Sequence, residues 1–316
     1  MTILLTLLGL GLLALGGDFV VRGAVRLARH LGVSPLLTGI AIVGFATSLP
    51  ELAVCVDAAS SGAPALAVAN VIGSNISNTI LILGLVAIIC PVPVCANSLR
   101  LDSSAHLLAG LFLVGIGFAF GRIDWWMGAL MVMGLALYIF LVIRRDAAID
   151  NIDQLYLDDR NDRPEKSLTR ALFHLVAGLV AVLVGAEFLV TGAVGLAEQF
   201  GVSKEVIGLT ITAVGTSLPE IATTLAAALR GNTQLCLGNI IGSNIFNLTG
   251  IAGVTALVAP LPLTRRIIEV DLPLLVATTL LLTLILLAGR TLRRSAGIVL
   301  TASYISYVAI QFAVPY

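Results

Sequence analysis

The sequence predicts an all-α polytopic membrane protein, with ten transmembrane helices arranged as two inverted-topology repeats of five helices. Three observations lead to this prediction. The chain of 316 residues is 58% hydrophobic and only 11% charged, its apolar residues fall into ten long stretches, and its two halves repeat each other. Because about a quarter of the residues in an ordinary soluble domain are charged, a bilayer is the solvent that fits this composition.

The ten apolar stretches are separated by charged residues, glycine and proline. A helix needs about 20 mostly apolar residues to cross a bilayer. The first stretch is interpreted as an uncleaved helix, since it lacks the basic N-terminal region of a signal peptide and continues past Asp18. We therefore expect spanning helices at residues 2–30, 35–60, 65–89, 103–120, 124–145, 167–198, 204–229, 234–258, 271–289 and 294–313.

A repeat with an offset of 169 residues relates the two halves without a gap. ThrSerLeuProGlu occurs at residues 47–51 and 216–220, and GlySerAsnIle occurs at 73–76 and 242–245. Equivalent segments are five helices apart, and five is odd, so the two copies should cross the membrane in opposite directions. Inverted repeats are typical of secondary transporters, whose binding sites lie near the midplane at the repeat interface.

The repeat and one long polar stretch divide the chain. The first repeat covers residues 1–145 with its motif at 39–84, a cytoplasmic linker covers 146–166, and the second repeat covers 167–316 with its motif at 208–253. If the N-terminus is outside, 14 of the 18 Lys and Arg residues fall on the cytoplasmic side. The positive-inside rule therefore predicts a multi-pass protein of the cell (inner) membrane with both termini outside.

A glutamate ends each repeated pentapeptide, well inside an apolar helix. Glu51 and Glu220 are costly at this depth, so a functional role is the default interpretation, and a hydrogen-bonded structural acid is the alternative. Carboxylate and hydroxyl oxygens are the ligands that hard cations such as Ca²⁺ and Na⁺ prefer. Hydroxyl groups lie within one turn of each glutamate, at Thr47, Ser48, Thr216 and Ser217.

The proline before each glutamate predicts a break in the helix. Pro50 and Pro219 have no N–H and clash with the carbonyl group four residues earlier, so disruption is expected near Ala46 and Gly215. Irregular backbone at membrane depth is tolerated only where it is buried in protein or lines a cavity. Carbonyl oxygens just upstream of each break are therefore expected to turn toward a cavity.

The second repeated motif places amide and hydroxyl side chains in membrane helices, at residues 70–78 and 239–247. Its serine and its last asparagine are four residues apart, so they share one helix face. Hydrogen bonding between helices is the alternative role for such groups. The predicted cation ligands of this motif are Ser74, Asn78, Ser243 and Asn247.

The other asparagines of this motif receive different interpretations. Asn75 and Asn244 fit either interhelical hydrogen bonding or the lining of the ion pathway. Asn70 and Asn239 are interpreted as structural.

The paired motifs resemble the α-repeats of sodium/calcium exchangers in the cation/calcium antiporter superfamily, and the resemblance covers essentially the whole chain. It implies that Glu51 and Glu220 bind Ca²⁺ and Na⁺ together with the hydroxyl and amide groups named above. It also implies ligands from the backbone carbonyls of Gly44 and Ala213. At Asn247 this chain departs from those members that carry Asp, and the missing negative charge argues against K⁺ co-transport.

The expected function is exchange of Na⁺ for Ca²⁺ by alternating access, with both ions competing for the same oxygens. A proton/calcium (or other divalent cation) antiporter is one alternative, although such proteins typically carry Gly-Asn before the helix glutamate. A cation-selective channel is another, and flux without counter-ion dependence would favour it. No GxxxxGK[ST] motif occurs, which disfavours an ATP-driven pump.

Other partners are few in this interpretation. No enzymatic activity and no cofactor are expected, and Ca²⁺ and Na⁺ enter as transported ions. The formal net charge is zero, which gives no indication of a nucleic-acid partner. The lipid bilayer is the expected environment, and no obligatory protein partner is evident.

Overall fold

The structure is a computed structural model that describes residues 1–94, 96–148, 167–200 and 213–313. These residues are almost entirely helical. Two short strands, β1 (Arg122–Ile123) and β2 (Leu261–Pro262), pair antiparallel. The helices are α1 Thr2–Leu31, α2 Pro35–Thr47, α3 Leu49–Ser60, α4 Pro64–Ile89, α5 Ala96–Phe120, α6 Trp125–Asp146, α7 Leu168–Gln199, α8 Ala213–Gly215, α9 Leu218–Leu229, α10 Thr233–Val258, α11 Ile267–Ala288 and α12 Arg294–Ala313.

The described helices confirm a helical membrane protein. Seven of them, α1, α4, α5, α6, α7, α10 and α11, are long and apolar enough to cross a membrane, and the bent pair α2–α3 is an eighth if it forms one span. α9 and α12 are apolar but shorter. The stretch predicted at 204–229 begins outside the described residues, so the count of ten spanning helices stays a prediction.

Two helices begin earlier than the sequence predicts. α5 begins at Ala96 instead of residue 103, and α11 at Ile267 instead of residue 271. In α5 the additional residues include a polar side chain that is satisfied inside the protein, whereas in α11 they include the exposed Glu269, which pairs with Arg265 at 2.7 Å. The polar side chain in α5 is that of Asp102, which is buried and accepts a hydrogen bond of 2.8 Å from the Tyr138 hydroxyl.

The chain forms two compact units, and each unit draws on both halves of the sequence. The first consists of Met1–Ser48 and Arg145–Asn239, and the second of Leu49–Arg144 and Ile240–Tyr316. The first unit therefore contains α1, α2 and α7–α9, and the second contains most of the remaining helices.

In the first unit, α1 and α7 pack with their backbones in contact along a glycine seam. A Cβ atom on Gly9 would lie 2.5 Å from the Leu189 nitrogen, and one on Gly16 would lie 2.8 Å from the Val182 nitrogen. Residues later in α1 contact residues earlier in α7, so the two helices are antiparallel. Small residues suit this contact because helix association in a membrane depends on close packing.

α1 also packs against α9 in the first unit. A Cβ atom on Gly17 would lie 2.7 Å from the Ala222 carbonyl oxygen. One residue later, Asp18 forms an ion pair with Arg22 at 2.8 Å and a second ion pair with Arg230, which follows the last residue of α9. These contacts fasten α1 along the helix that carries Glu220.

The N-terminus of α2 is fixed by a buried carboxylate. Ser34 caps the helix, and its hydroxyl accepts a hydrogen bond of 3.1 Å from the Leu37 nitrogen. Asp146, only 2% exposed, accepts a hydrogen bond of 2.9 Å from the Ser34 nitrogen and a second, short one from the Ser34 hydroxyl. A negative charge is favourable here because the helix dipole is positive at this end.

In the second unit, two further helix pairs approach through glycines. A Cβ atom on Gly84 of α4 would lie 3.1 Å from the Gly297 oxygen of α12, and one on Gly128 of α6 would lie 2.6 Å from the Gly253 oxygen of α10. α5 packs against α11, and α3 packs against α4. α10 contributes to this unit from Ile240 onward.

Candidate cation-binding site

Glu220 lies in the first turn of α9, directly after a break in the helical backbone. Ser217 precedes the helix with φ −87° and ψ 1°, and Pro219 occupies its first turn. The Glu220 side chain is only 2% exposed, and its Oε1 accepts a hydrogen bond of 3.0 Å from the Ser48 hydroxyl. Oε2 is buried and has no hydrogen-bond partner among the described residues. A carboxylate oxygen is therefore available to a cation.

The breaks lie about two residues later than the sequence predicts. α2 ends at Thr47, and Ser48 has φ −89° and ψ 6°, close to the conformation of Ser217 in the other motif. The reason is the placement of proline. Each proline sits in the first turn of a new helix, where its missing N–H would have no intrahelical partner anyway. The chain therefore interrupts the helix just before the Leu-Pro-Glu segment.

The hydroxyl groups of the pentapeptides occupy different environments within the first unit. Thr47 is fully buried, and its Oγ1 lies 3.4 Å from the Gly44 oxygen and 3.4 Å from Oδ1 of Asn239. Thr216 is half-buried, and its Oγ1 has no hydrogen-bond partner among the described residues. Ser217 is buried. The structure thus brings Thr47 and Ser48 next to partners on α9 and α10.

The two predicted carbonyl ligands behave differently. The Gly44 oxygen accepts a hydrogen bond of 3.3 Å from the Ser48 nitrogen and a second one of 3.4 Å from Thr47 Oγ1. Ala213 is the first described residue before the break, and a hydrogen bond of 3.1 Å runs from the Ser217 nitrogen to the Val214 oxygen. The coordination predicted for both carbonyls stays a prediction.

In the second unit, the remaining predicted ligands are all buried. Glu51 lies in the first turn of α3 and is 2% exposed. Asn78 and Asn247 are each 1% exposed, and neither their amide oxygens nor their amide nitrogens have hydrogen-bond partners among the described residues. Buried amides normally find partners. Two unsatisfied amides at equivalent positions are therefore candidates for binding a ligand. Ser74 and Ser243 are buried on the same two helices.

Asn78 and Asn247 lie in π-helical segments. The helix widens at Ser77–Ile82 within α4 and at Phe246–Ile251 within α10. Segments of this kind occur frequently at functional sites. Both α3, which carries Glu51, and Pro64–Ile76 of α4 pack against Phe246–Ile251. The sequence did not predict these segments, although both begin directly after the repeated GlySerAsnIle.

Asn75 and Asn244 make hydrogen bonds typical of structural groups. The Asn75 amide nitrogen donates to the Val71 oxygen at 2.8 Å, within its own helix. The Asn244 amide nitrogen donates to Thr79 Oγ1 at 3.0 Å and links α10 to α4. The Asn244 bond agrees with the interhelical alternative given by the sequence, whereas the Asn75 bond stays within α4. The amide oxygens of both residues are buried and have no hydrogen-bond partner among the described residues, so lining of the ion pathway stays a prediction.

A hydrogen-bond network around Asn239 was missed by the sequence interpretation. Its amide nitrogen lies 3.0 Å from Thr223 Oγ1 and 2.7 Å from Thr224 Oγ1, one turn after Glu220. The two threonines are not part of the repeated pentapeptide, and the first half carries Val54 and Cys55 at their positions. The signal in the sequence was a pair of polar residues three and four positions after a membrane glutamate.

Each unit therefore holds a buried glutamate together with neutral oxygen donors from hydroxyl or amide groups. Carboxylate, hydroxyl, amide and carbonyl oxygens suit hard cations, and burial strengthens their interaction with a charge. The broken helix before Glu220 exposes backbone and side-chain oxygens in a region where regular helix would satisfy its own backbone groups. This chemistry fits Ca²⁺ and Na⁺ as transported substrates.

Comparison with known proteins gives the same assignment. The sequence model of the family "Sodium/calcium exchanger protein" matches residues 1–144 and 170–313. This chain belongs to the sodium/calcium exchanger family. Its family membership makes it a transporter of the cation/calcium antiporter type, embedded in a membrane.

Individual relatives of this exchanger match over nearly their full length. The chain is 31% identical to sodium/calcium exchanger MaX1 of Methanosarcina acetivorans, with 98% of each chain covered. It is 38% identical to membrane protein MJ0091 of Methanocaldococcus jannaschii, covering 96% of this chain and 95% of the relative. A solved structure of the sodium-calcium exchanger NCX_Mj superposes with a TM-score of 0.85 at 35% identity and covers 98% of both chains.

Proposed function

We propose that this chain exchanges Na⁺ for Ca²⁺ across the membrane as a secondary active antiporter that works by alternating access. The observation that carries the proposal is the buried Glu220 carboxylate, which Ser48 holds by one oxygen at 3.0 Å while the other has no hydrogen bond among the described residues. A buried acid of this kind is costly unless it binds a cation or a proton. Membership of the exchanger family supports the choice of ions.

The proposed ion ligands come from both repeated motifs. Two carboxylates would balance one Ca²⁺ or share several Na⁺, and competition for the same oxygens makes exchange obligatory. The burial of these groups and the unsatisfied amides of Asn78 and Asn247 support the assignment. The proposed ligands are Glu51, Glu220, Thr47, Ser48, Thr216, Ser217, Ser74, Asn78, Ser243, Asn247 and the carbonyl groups of Gly44 and Ala213.

We further propose that the chain consists of two inverted five-helix repeats, residues 1–145 and 167–316, with ten spanning helices. The family model supports this division, because its two matches begin and end 169 residues apart. Contacts within the units support it as well. Gly16 of α1 packs on Gly178 of α7, and Gly9 packs on Gly185. Gly185 is the repeat equivalent of Gly16, and Gly178 is the repeat equivalent of Gly9, so the two contacts are equivalent under the 169-residue offset.

The proposed orientation places both termini outside the cell and the linker at 146–166 in the cytoplasm of an inner-membrane protein. It rests on the 14 to 4 distribution of Lys and Arg between the two sides. In this orientation Na⁺ entering down its gradient would drive Ca²⁺ out, with more than two Na⁺ per Ca²⁺ expected from the family resemblance.

The test is uptake of ⁴⁵Ca²⁺ into proteoliposomes that hold the purified protein and either Na⁺ or choline inside. The expected result is uptake that requires internal Na⁺ and that a positive-inside potential accelerates, because net positive charge leaves with each cycle. Uptake driven by a pH gradient without Na⁺ would instead assign proton/calcium antiport. Uptake that needs neither gradient would assign a channel.

Matched variants locate the site. Glu51→Gln and Glu220→Gln keep the side-chain size but remove the charge, so each should abolish Na⁺-dependent uptake. Glu269→Gln is the control, because Glu269 is 58% exposed and pairs with Arg265 at the surface, where removing an ion pair has little effect. Size-exclusion profiles in detergent should match for all three variants. Near-normal uptake by either site variant would contradict the assigned ligands.

A further inference from the structure

We propose that Asn239 is a positioning residue of the cation site, which directs the Thr47 hydroxyl so that its lone pairs face the ion and holds the Glu220 helix in register. The inference rests on the proposed function. Asn239 lies on α10 and is only 1% exposed. Its amide group links the start of α10 to α2 through Thr47 and to α9 through Thr223 and Thr224.

The orientation of the Asn239 amide follows from its neighbours. The Thr223 hydroxyl donates its single hydrogen to the Pro219 oxygen at 2.8 Å, with the Glu220 oxygen as a second acceptor at 3.3 Å. Thr223 Oγ1 can then only accept from the group 3.0 Å away on Asn239, which must be the amide nitrogen. The flipped amide would place two acceptor oxygens against each other. Oδ1 therefore faces Thr47.

This orientation determines what the Thr47 hydroxyl can do. Its Oγ1 has two neighbours that only accept hydrogen bonds at 3.4 Å, Oδ1 of Asn239 and the Gly44 oxygen, and it also interacts with the Glu220 carboxylate. When that carboxylate binds a cation, the positive charge repels the hydroxyl hydrogen, which then turns to Asn239 or Gly44 and leaves the lone pairs to the ion. A hydroxyl group binds a cation through its lone pairs, so an acceptor for its hydrogen is a condition for serving as a ligand.

The same amide also fixes the first turns of α9. Thr223 and Thr224 follow Glu220 by three and four residues and so lie on its side of the helix. Both amide hydrogens of Asn239 are used in these two bonds, at 3.0 Å and 2.7 Å. Because α9 begins at a backbone break, it lacks the preceding turn that would otherwise hold it. The bonds to Asn239 supply a substitute for that turn.

The equivalent asparagine of the first repeat supplies a matched control. The Asn70 amide nitrogen contacts Cys55 Sγ at 3.3 Å, and Cys55 is the residue that corresponds to Thr224. Sulfur is a weak acceptor, and Val54 offers no hydroxyl group where the second repeat has Thr223. Asn70 is also only half-buried. Its loss should therefore affect ion binding far less than the loss of Asn239.

The experiment compares Ca²⁺ affinity with maximal rate in proteoliposomes. Asn239→Ala should raise the KM for Ca²⁺ about tenfold, the usual effect of losing one hydrogen bond to a polar site group. Asn70→Ala should change it less than threefold. Thr224→Val, which keeps Asn239 but loses one anchor, should give an intermediate KM, and Thr224→Ser should restore it. Size-exclusion profiles and thermal midpoints verify that the variants are folded.

A double-mutant cycle separates positioning from a purely structural role. If Asn239 acts through Thr47, then Asn239→Ala adds little to the KM of Thr47→Ala, because the hydroxyl it orients is already gone. The proposal would be overturned if the KM increases of the two single variants multiply in the double variant. It would also be overturned if Asn239→Ala leaves the KM unchanged and lowers only the thermal midpoint. Failure of the proposed function is a different result, namely no Na⁺-dependent uptake by the unmutated protein. Equilibrium ⁴⁵Ca²⁺ binding to purified protein then tests Asn239 directly, and absence of binding overturns both proposals.

Discussion

Replacing a glycine of α1 by alanine should lower or raise the stability of the protein, depending on whether that glycine lies in the seam with α7. In Gly16→Ala the new Cβ atom would lie 2.8 Å from the Val182 nitrogen, 2.8 Å from Val182 Cγ2 and 2.9 Å from the Gly178 oxygen. Two of these three are backbone atoms, which no rotamer change can move. The helices must therefore separate by several tenths of an ångström to reach ordinary contact distance. Gly11 on the same helix has no heavy atom within 4 Å of its Cβ position.

The expected magnitudes follow from two opposing effects. Alanine favours a helix over glycine by up to about 1 kcal/mol, whereas overpacking a close contact costs about 1–3 kcal/mol. Gly16→Ala should therefore lose about 1–2 kcal/mol of stability, while Gly11→Ala should be neutral or slightly stabilising. For a protein of this size that corresponds to a fall of about 1.5–3 °C in Tm for the first variant.

The assay is thermal unfolding of both purified variants in the same detergent, followed by Ca²⁺ uptake at a temperature where both are folded. Gly16→Ala should have the lower Tm, and Gly11→Ala should match the unmutated protein or exceed it. If both variants shift Tm in the same direction and by similar amounts, close backbone packing does not hold α1 and α7 together.

Three further predictions concern ion dependence, topology and helix capping. Exchange should need no K⁺, and Asn247→Asp should alter its monovalent-ion dependence in ⁴⁵Ca²⁺ uptake; strict K⁺ dependence of the unmutated protein would contradict this. In a cysteine-free background, Tyr316→Cys but not Leu155→Cys should react with an impermeant thiol reagent on intact cells, and the reverse pattern would overturn the orientation. Asp146→Asn should cost about 1–3 kcal/mol in unfolding experiments because it weakens a buried cap, whereas the exposed Asp57→Asn should stay within about 0.5 kcal/mol; equal effects would refute the cap.

The helices were largely predictable because a membrane span must satisfy its own backbone groups, which makes long apolar stretches strong signals. The stretch predicted at 124–145 is helix Trp125–Asp146, and that predicted at 2–30 is Thr2–Leu31. Helix starts were less predictable where polar residues are buried. Asp102 reads as the edge of an apolar stretch, yet it lies inside α5 because Tyr138 satisfies it.

The candidate site was predictable only in part. The repeat singled out the two glutamates, and the structure places Glu220 in the expected broken helix beside the Ser48 hydroxyl. The Asn239 network could not be predicted from the repeat, because Thr223 and Thr224 have no hydroxyl-bearing equivalents in the first half. A search for repeated residues finds what the two halves share and overlooks what only one of them has acquired.

Repetition alone also fails to separate ion ligands from structural acids. Asp102 and Asp271 are a second pair of buried carboxylates related by the 169-residue offset, and each accepts a hydrogen bond from a tyrosine related by the same offset. Tyr138 donates to Asp102 at 2.8 Å, and Tyr307 donates to Asp271 at 3.3 Å. Both acids thus receive a hydrogen from the protein itself, which makes a bound cation unnecessary for their burial. Glu220 differs because Oε2 finds no such donor among the described residues. Among these three acids, Glu220 is therefore distinguished as a candidate ligand by a carboxylate oxygen without a hydrogen-bond donor. This property depends on neighbours distant in sequence and so becomes visible only in the folded chain.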